Sequence, residues 1–374
     1  MAVYLDYNAN APIRPEAKTA AMAAMEAGGN PSSVHAAGRA ARSLVETARG
    51  QVAGLLGVKP GSITFTSGGT EANALAIESA VLAGFDRVIV GATEHGAVAE
   101  NAKASVKDIE IWPVDGNGVA DLAWLEAALS RPGRALVCLM HANNETGVIQ
   151  PVAEAAGLVS TAEGWLHVDA VGSAGKIAVD FNALGADTLA IAGHKIGAPF
   201  GVGALAAGPR ATLSRRLHGG GQEQGRRAGA ENLPGIAGMG AAALASARDL
   251  GKLADQRAWR DAAEIELTAA GATVLGDGAD RLPQTLCFAD PGFDGALQVM
   301  TLDLSGVMVS AGAACSSGKV KPSATVAAMG RDDLAASAIR VSGGWATTQA
   351  DWQAFVEAWL TASARHHARH RDVA

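Results

Sequence analysis

A chain of 374 residues, 49% hydrophobic and 18% charged, with a formal net charge of -7, is long and apolar enough for about two domains, which excludes disorder as its main state. Its mean hydropathy of +0.15 comes from alanine and from 46 glycines rather than from any run of about 18 strongly apolar residues, so no segment reads as a membrane span. Lysines and arginines cluster only at Arg215-Arg216 and Arg226-Arg227, too sparsely for a nucleic-acid partner. Met1 to Asp6 lacks the basic and apolar stretches of a secretory signal, and Cys138, Cys287 and Cys315 have neither the number nor the spacing of a disulfide framework or a structural zinc site. A reduced, cytoplasmic setting is the expectation, with no metal.

In chain order, Gly29-Asn30-Pro31-Ser32-Ser33 leads into an amphipathic helix at Ala37 to Leu56. Short runs rich in Val, Ile and Leu then alternate with helical patterns: strands at 63–65, 87–90, 109–114, 135–141, 165–169, 187–192 and 203–206, and helices at 70–83, 121–129 and 152–162. That alternation predicts βαβ units, and runs apolar at consecutive positions predict a mainly parallel α/β sheet covered on both faces. Functional groups then collect at the carboxyl ends of strands. Beyond about 240 the pattern becomes α+β: a long helix at 241–270, strands near 285–288 and 307–310, and a helix from Gln349 to about Ala364. His366, His367 and His370 read as a frayed, solvated helix end rather than a metal site.

Three strand ends carry candidate chemistry. Thr66-Ser67-Gly68-Gly69-Thr70-Glu71 joins a strand to a helix, where exposed N–H groups and the helix dipole stabilise a phosphate; an ordinary capped glycine turn is the alternative. Asp169 ends Trp165-Leu166-His167-Val168-Asp169, where a carboxylate is costly to bury without a positive partner, or is simply a turn residue. Gly193-His194-Lys195 ends another strand with an amine that a buried site activates as a nucleophile, although strand-end lysines are commonly solvated. Together, a phosphate cradle, a buried acid and a lysine form the minimum kit for pyridoxal phosphate: Schiff-base amine, partner for the pyridine nitrogen and phosphate hold.

Nine ordered motifs between residue 4 and about residue 345 then point further. Tyr4-Leu5-Asp6, Gly29-Asn30-Pro31-Ser32-Ser33, Ser67-Gly68-Gly69-Thr70-Glu71, Thr93-Glu94-His95, His141-Ala142-Asn143-Asn144-Glu145, His167-Val168-Asp169-Ala170, Gly193-His194-Lys195, His218-Gly219-Gly220-Gly221-Gln222-Glu223 and Ala314-Cys315-Ser316-Ser317 resemble those of the cysteine desulfurases of the NifS/IscS type. The resemblance implies a fold-type-I pyridoxal-phosphate enzyme, with a large domain at 15–245 and a small domain of 1–14 with 246–374 that carries the cysteine loop. It implies Lys195 as the Schiff-base lysine, Asp169 as the pyridinium partner and His95 as the imidazole stacked on the cofactor ring. Gly69, Thr70 and His194 become phosphate contacts, Asn144 a group near cofactor and substrate, and Arg340 the grip on the substrate carboxylate, a task suited to its two-pronged donor geometry.

Cys138 and Cys287 sit in apolar runs and read as core residues. Cys315 lies in a glycine-bounded run of small residues; the resemblance makes it the thiolate that takes sulfur from L-cysteine as a persulfide, releasing alanine. It also implies a homodimer, with 218–230 reaching across, and a sulfur acceptor such as an iron–sulfur scaffold protein or a thiolation pathway. A selenocysteine lyase, a small-amino-acid aminotransferase of the same fold and a non-catalytic scaffold are the competing readings. The scaffold is motivated by three departures, because the glutamine, serine and threonine usual at cofactor-contacting positions are Gly172, Ala192 and Ala230 here. The amino-terminal Thr-Thr is likewise Asn10-Ala11. Ser173 and Gln222 are the candidates to compensate.

Overall fold

Alternating side chains of seven strands point into separate apolar layers, so these strands form one sheet buried on both faces. The computed structural model describes residues 2–106, 108–312 and 321–371. Across the sheet the order is Ile63–Thr66, Gly203–Ala207, Thr188–Ala192, Trp165–Asp169, Ala135–Met140, Arg87–Gly91 and Ile109–Trp112. Gly203–Ala207 runs antiparallel to both its neighbours, and the other adjacent pairs are parallel. Ile89, Val137, Leu139, Leu166, Val168, Leu189 and Ile191 pack on one face beneath the helices Ala36–Leu56, Val152–Thr161 and Leu233–Ala269. Val88, Val90, Leu136 and Cys138 face the other way, against the helices Gly69–Leu82 and Gly96–Ser105. This is the expected α/β architecture, and all seven expected strands are in it.

A second sheet is antiparallel, in the order Ser310–Ala311, Ala338–Ser342, Thr285–Ala289 and Thr273–Val274. Its core gathers Phe288, Ile339 and Val341 with Trp352, Phe355 and Trp359 of the carboxyl-terminal helix. Because strand side chains alternate, Ile339 and Val341 in this core send Arg340 to the opposite face. The amino-terminal segment joins this region: Val3–Tyr4 pairs with Val307–Met308, and Asp6 bridges to Ser342.

The run expected as one strand at 307–310 is two, Val307–Met308 and Ser310–Ala311, in different sheets. The long helix starts eight residues earlier than expected, at Leu233, capped by the Asn232 side chain on the Gly235 N–H. The terminal helix is not frayed after Ala364; it runs to Arg371. His366 stacks on Phe293 at 4.1 Å and bonds the Gly292 carbonyl, and His367 pairs with the buried Asp290, so these histidines dock the helix.

Candidate active site

At the carboxyl ends of the central strands lies a cavity of about 340 Å³, within the size range of small-molecule sites. Gly69, Thr70, His95, Asn144, Asp169, His194, Lys195 and Arg340 all line it. Eight of the nine residues singled out in the sequence therefore meet at one place; the ninth, Cys315, lies outside the described residues.

Asp169 ends the middle strand of the sheet and is 5% exposed. Its Oδ1 accepts the Val171 N–H at 2.8 Å and its Oδ2 accepts from Asn73 Nδ2 at 2.8 Å. Burial pushes its carboxyl above the usual range, opposed by the Val171 N–H, His95, Asn73 and Lys195. Burial and then the charge of Asp169 push Glu94 well above the carboxylate range, and only the Met140 N–H opposes them. Two neighbouring buried acids do not both ionise readily. Four groups oppose burial at Asp169 and one opposes it at Glu94, so Glu94 is raised further of the two.

Lys195 follows its strand through one tight turn, Gly193–Lys195. Its Nζ donates to the carbonyls of Asn8 at 2.5 Å and Ala9 at 2.8 Å. His95 is the N-cap of the helix Gly96–Ser105, its Nδ1 accepting the Ala97 N–H at 3.0 Å. That bond fixes the ring, and in the neutral imidazole it places the proton on Nε2. His194 lies parallel to Phe200 at 5.5 Å; burial, then the charge of Lys195, lowers it to about 4, so it is a neutral donor. Gly69 and Thr70 open the helix Gly69–Leu82, whose first-turn N–H groups have no intrahelical acceptor. A Cβ on Gly69 would lie 2.8 Å from Val171 Cγ2, so glycine lets this helix end approach the Asp169 turn.

On the opposite wall, Arg340 Nη2 donates to Asp6 Oδ1 at 2.6 Å and Nη1 to the Asn144 carbonyl at 3.1 Å, while its buried Nε has no partner among the described residues. Asn8 and Lys176 are residues that sequence reasoning missed. Lys176 is buried, with Nζ on Asn8 Oδ1 at 2.8 Å and the Gly172 carbonyl at 2.9 Å. Burial, then the charges of Lys195 and Arg340, lower its pKa far below the usual lysine value.

The three departures resolve differently. A Cβ on Gly172 would sit 2.5 Å from the Ala142 carbonyl oxygen, so the backbone has closed over the space a glutamine would start from. Ala192 lines the cavity. Ala230 lines a separate cavity of about 130 Å³ beside Thr66, Ser67 and Arg227. Ser173 does not compensate, since its hydroxyl is engaged by His141 Nδ1 at 2.9 Å and the Ala170 carbonyl. Gln222 caps the Gly229 N–H instead. Cys138 and Cys287 are 1% and 2% exposed, as expected of core residues, and burial raises both thiols.

The residues present fit pyridoxal phosphate: a buried acid, an amine and a helix amino terminus line one cavity, with Arg340 on its wall. Known proteins agree. The aminotransferase class-V family model matches residues 3–355. A cysteine desulfurase from Cereibacter sphaeroides is 42% identical over 95% of this chain and 94% of its own length, and the cysteine desulfurase IscS of Dictyoglomus turgidum is 38% identical over 93% and 91%. The X-ray structure of a NifS-like protein from Rickettsia africae superposes with a TM-score of 0.88 at 33% identity, covering 96% of this chain and 98% of that one. The chain belongs to the aminotransferase class-V family, as a pyridoxal-phosphate-dependent cysteine desulfurase of the NifS/IscS type.

Proposed function

We propose that this cavity removes sulfur from L-cysteine and passes it to Cys315, with Lys195 as the covalent hold on the cofactor and Asp169 as the partner of its ring nitrogen. The observation that carries the reading is the convergence of eight residues from six separate segments on one cavity. Bound pyridoxal phosphate supplies an electron sink for charge developing at the α-carbon of an amino acid. Gly69, Thr70 and the neutral His194 would hold its phosphate, and His95, its Nδ1 occupied by the Ala97 N–H, would meet the ring and move protons through Nε2. Arg340, on the cavity wall beside Asn144, would grip the substrate carboxylate. The carbonyls of Asn8 and Ala9 receive the Lys195 amine when it is not bonded to the cofactor.

Cys315 takes the sulfur as a persulfide, and the carbon skeleton leaves as alanine. Support for its reach comes from both flanks. A Cβ on Gly312 would lie 2.5 Å from the Lys321 carbonyl oxygen, so the chain leaves and returns at one point. Next to Asn144, the buried Glu145 accepts from Ser323 Oγ at 2.7 Å and Thr325 Oγ1 at 3.1 Å, tying the cavity wall to the segment just beyond Cys315. The same reading gives a cytoplasmic homodimer that feeds an iron–sulfur scaffold or a thiolation acceptor, with the exposed glycine-rich run 216–221 at the interface. Its domains are 15–245 and 1–14 with 246–374.

Purified protein given pyridoxal phosphate and L-cysteine should release sulfide, in the presence of a thiol reductant, and alanine in equal amounts. Cys315→Ala should keep the cofactor's visible absorbance and lose sulfide release. Undiminished sulfide release from that variant would remove the persulfide step.

A further inference from the structure

Asp169 terminates a line of hydrogen bonds through the central sheet that the chemistry above does not use. Trp165 Nε1 donates to Thr188 Oγ1 at 3.0 Å, His167 Nδ1 lies 3.0 Å from the same oxygen, and His167 Nε2 lies 2.9 Å from Asn73 Oδ1. Asn73 Nδ2 completes the line to Asp169 Oδ2. His167, Thr188 and Asn73 are fully buried, and His167 and Thr188 are in register across a parallel strand pair.

Hydrogen-bond chemistry fixes the direction of every link. Asn73 Nδ2 donates to Asp169, so Asn73 Oδ1 faces His167 Nε2, which must donate to it; Nδ1 of a neutral ring is then left to accept the Thr188 hydroxyl proton, while the indole N–H of Trp165, a donor only, uses a lone pair of the same oxygen. Burial lowers His167 to about 3, so the ring is neutral. With Nδ1 accepting, its single proton sits on Nε2 and goes to Asn73 Oδ1. The carboxamide is thereby locked with its NH2 group, not its oxygen, toward Asp169. Without His167 as donor, Asn73 is free to turn its oxygen to the acid, and a repulsion replaces a bond.

We propose that Trp165, Thr188, His167 and Asn73 are positioning residues that hold Asp169 as an oriented, ionised acceptor for the ring nitrogen of pyridoxal phosphate. The proposal rests on the assignment of Asp169 made above. Asn73 lies in the first turns of the helix whose amino terminus lines the cavity, so one helix serves both the phosphate cradle and the ring-nitrogen partner.

At metal centres, removal of a partner of a ligating group typically weakens binding about tenfold or more, and a loss of the same order is expected for the acid that meets the ring nitrogen. The test titrates cofactor-free full-length protein with pyridoxal phosphate and with its 1-deaza analogue, in which carbon replaces the ring nitrogen. His167→Leu should bind pyridoxal phosphate about tenfold more weakly and the analogue with unchanged affinity. His167→Gln, which keeps an N–H near the Nε2 position, should recover most of the loss. Thr188→Val, close in shape, should show the same selective loss at about threefold, and it carries the comparison if thermal melting shows His167→Leu to be unfolded. Equal losses for both ligands, or no loss for pyridoxal phosphate in a folded variant, would overturn the proposal. A wild type that binds both ligands equally well would overturn the assignment of Asp169 itself.

Discussion

The floor and the far wall of the cavity are built in opposite ways. The floor comes from strand ends: Asp169, the Gly193–Lys195 turn and the start of the helix Gly69–Leu82 are placed by the pairing of the sheet. The wall joins pieces far apart in sequence, with Arg340 bonded to Asp6 and Asn144, and Asn8 bonded through its N–H to Ser342, through Nδ2 to Asn144 and Thr285, and through Oδ1 to Lys176. Strand pairing and two apolar layers stabilise the floor, whereas the wall depends on a segment of a few residues staying docked. Local opening free energies follow such differences in packing, so the floor suits fixed chemistry and the wall suits adjustable recognition.

The largest test of the floor is Lys195→Ala. Turnover should fall at least about a thousandfold, as when a covalent catalyst is removed, and the visible absorbance of the lysine-bound cofactor should vanish. Residual turnover near the wild-type rate would show that another amine serves, and Lys176 is the one to examine.

Acid should loosen the floor through its buried histidines. Burial lowers His141 to about 4 and His167 to about 3, both below an unfolded value of about 6.5. Below pH 6.5 each of these histidines therefore binds more protons in the unfolded chain than in the folded one. Their contribution to stability is complete above that pH and is lost as the pH falls, by about 2 kcal/mol for each histidine at pH 5, against an opposite contribution from Glu94, whose raised carboxyl favours the folded chain as the pH falls. Denaturant melts of cofactor-free protein between pH 5 and 7 measure this; a flat profile would mean that Glu94 offsets the histidines or that the floor already accommodates charged imidazoles.

Gly172→Gln, which restores the residue usual in the family resemblance, should not restore a cofactor contact. Its Cβ meets the Ala142 carbonyl, and a forced fit of this kind costs about 2 kcal/mol. Urea unfolding should show that cost, with no gain in affinity for pyridoxal phosphate. Tighter binding at undiminished stability would show the floor to be as adjustable as the wall.

The same contrast decides what the sequence made legible. Strand-end residues of the floor announce themselves, because an apolar run followed by Asp169 or by Gly193-His194-Lys195 is a local pattern. Motif order added Arg340 and Asn144, yet nothing local told that Asn8 would carry Lys195 and Lys176, or that Asn73 and His167 would engage Asp169. These contacts cross 94 to 187 residues of chain. Gly172 was legible as a missing side chain but not as a close approach to the Ala142 carbonyl, because a sequence reports which groups exist and not the distances between them. The docked His366 and His367 were missed for the same reason: their partners Phe293 and Asp290 lie in a different element.

The smallest expected effect tests the wall alone. Asp6 bonds Arg340 at 2.6 Å, with side-chain exposures of 20% and 3%, so a carboxylate already offsets part of the charge that the substrate carboxylate is to meet. Asp6→Asn keeps an oxygen acceptor for Nη2 and removes the competing negative charge. The guanidinium stays in place while its attraction for the substrate rises, in the ground state and the transition state alike. Uniform binding of that kind changes KM and leaves kcat alone, so KM for L-cysteine should fall about threefold, with the gain shrinking as salt screens it. A rise in KM would instead mean that the charge of Asp6 is needed to hold Arg340, and the wall would then be as dependent on fixed pairing as the floor.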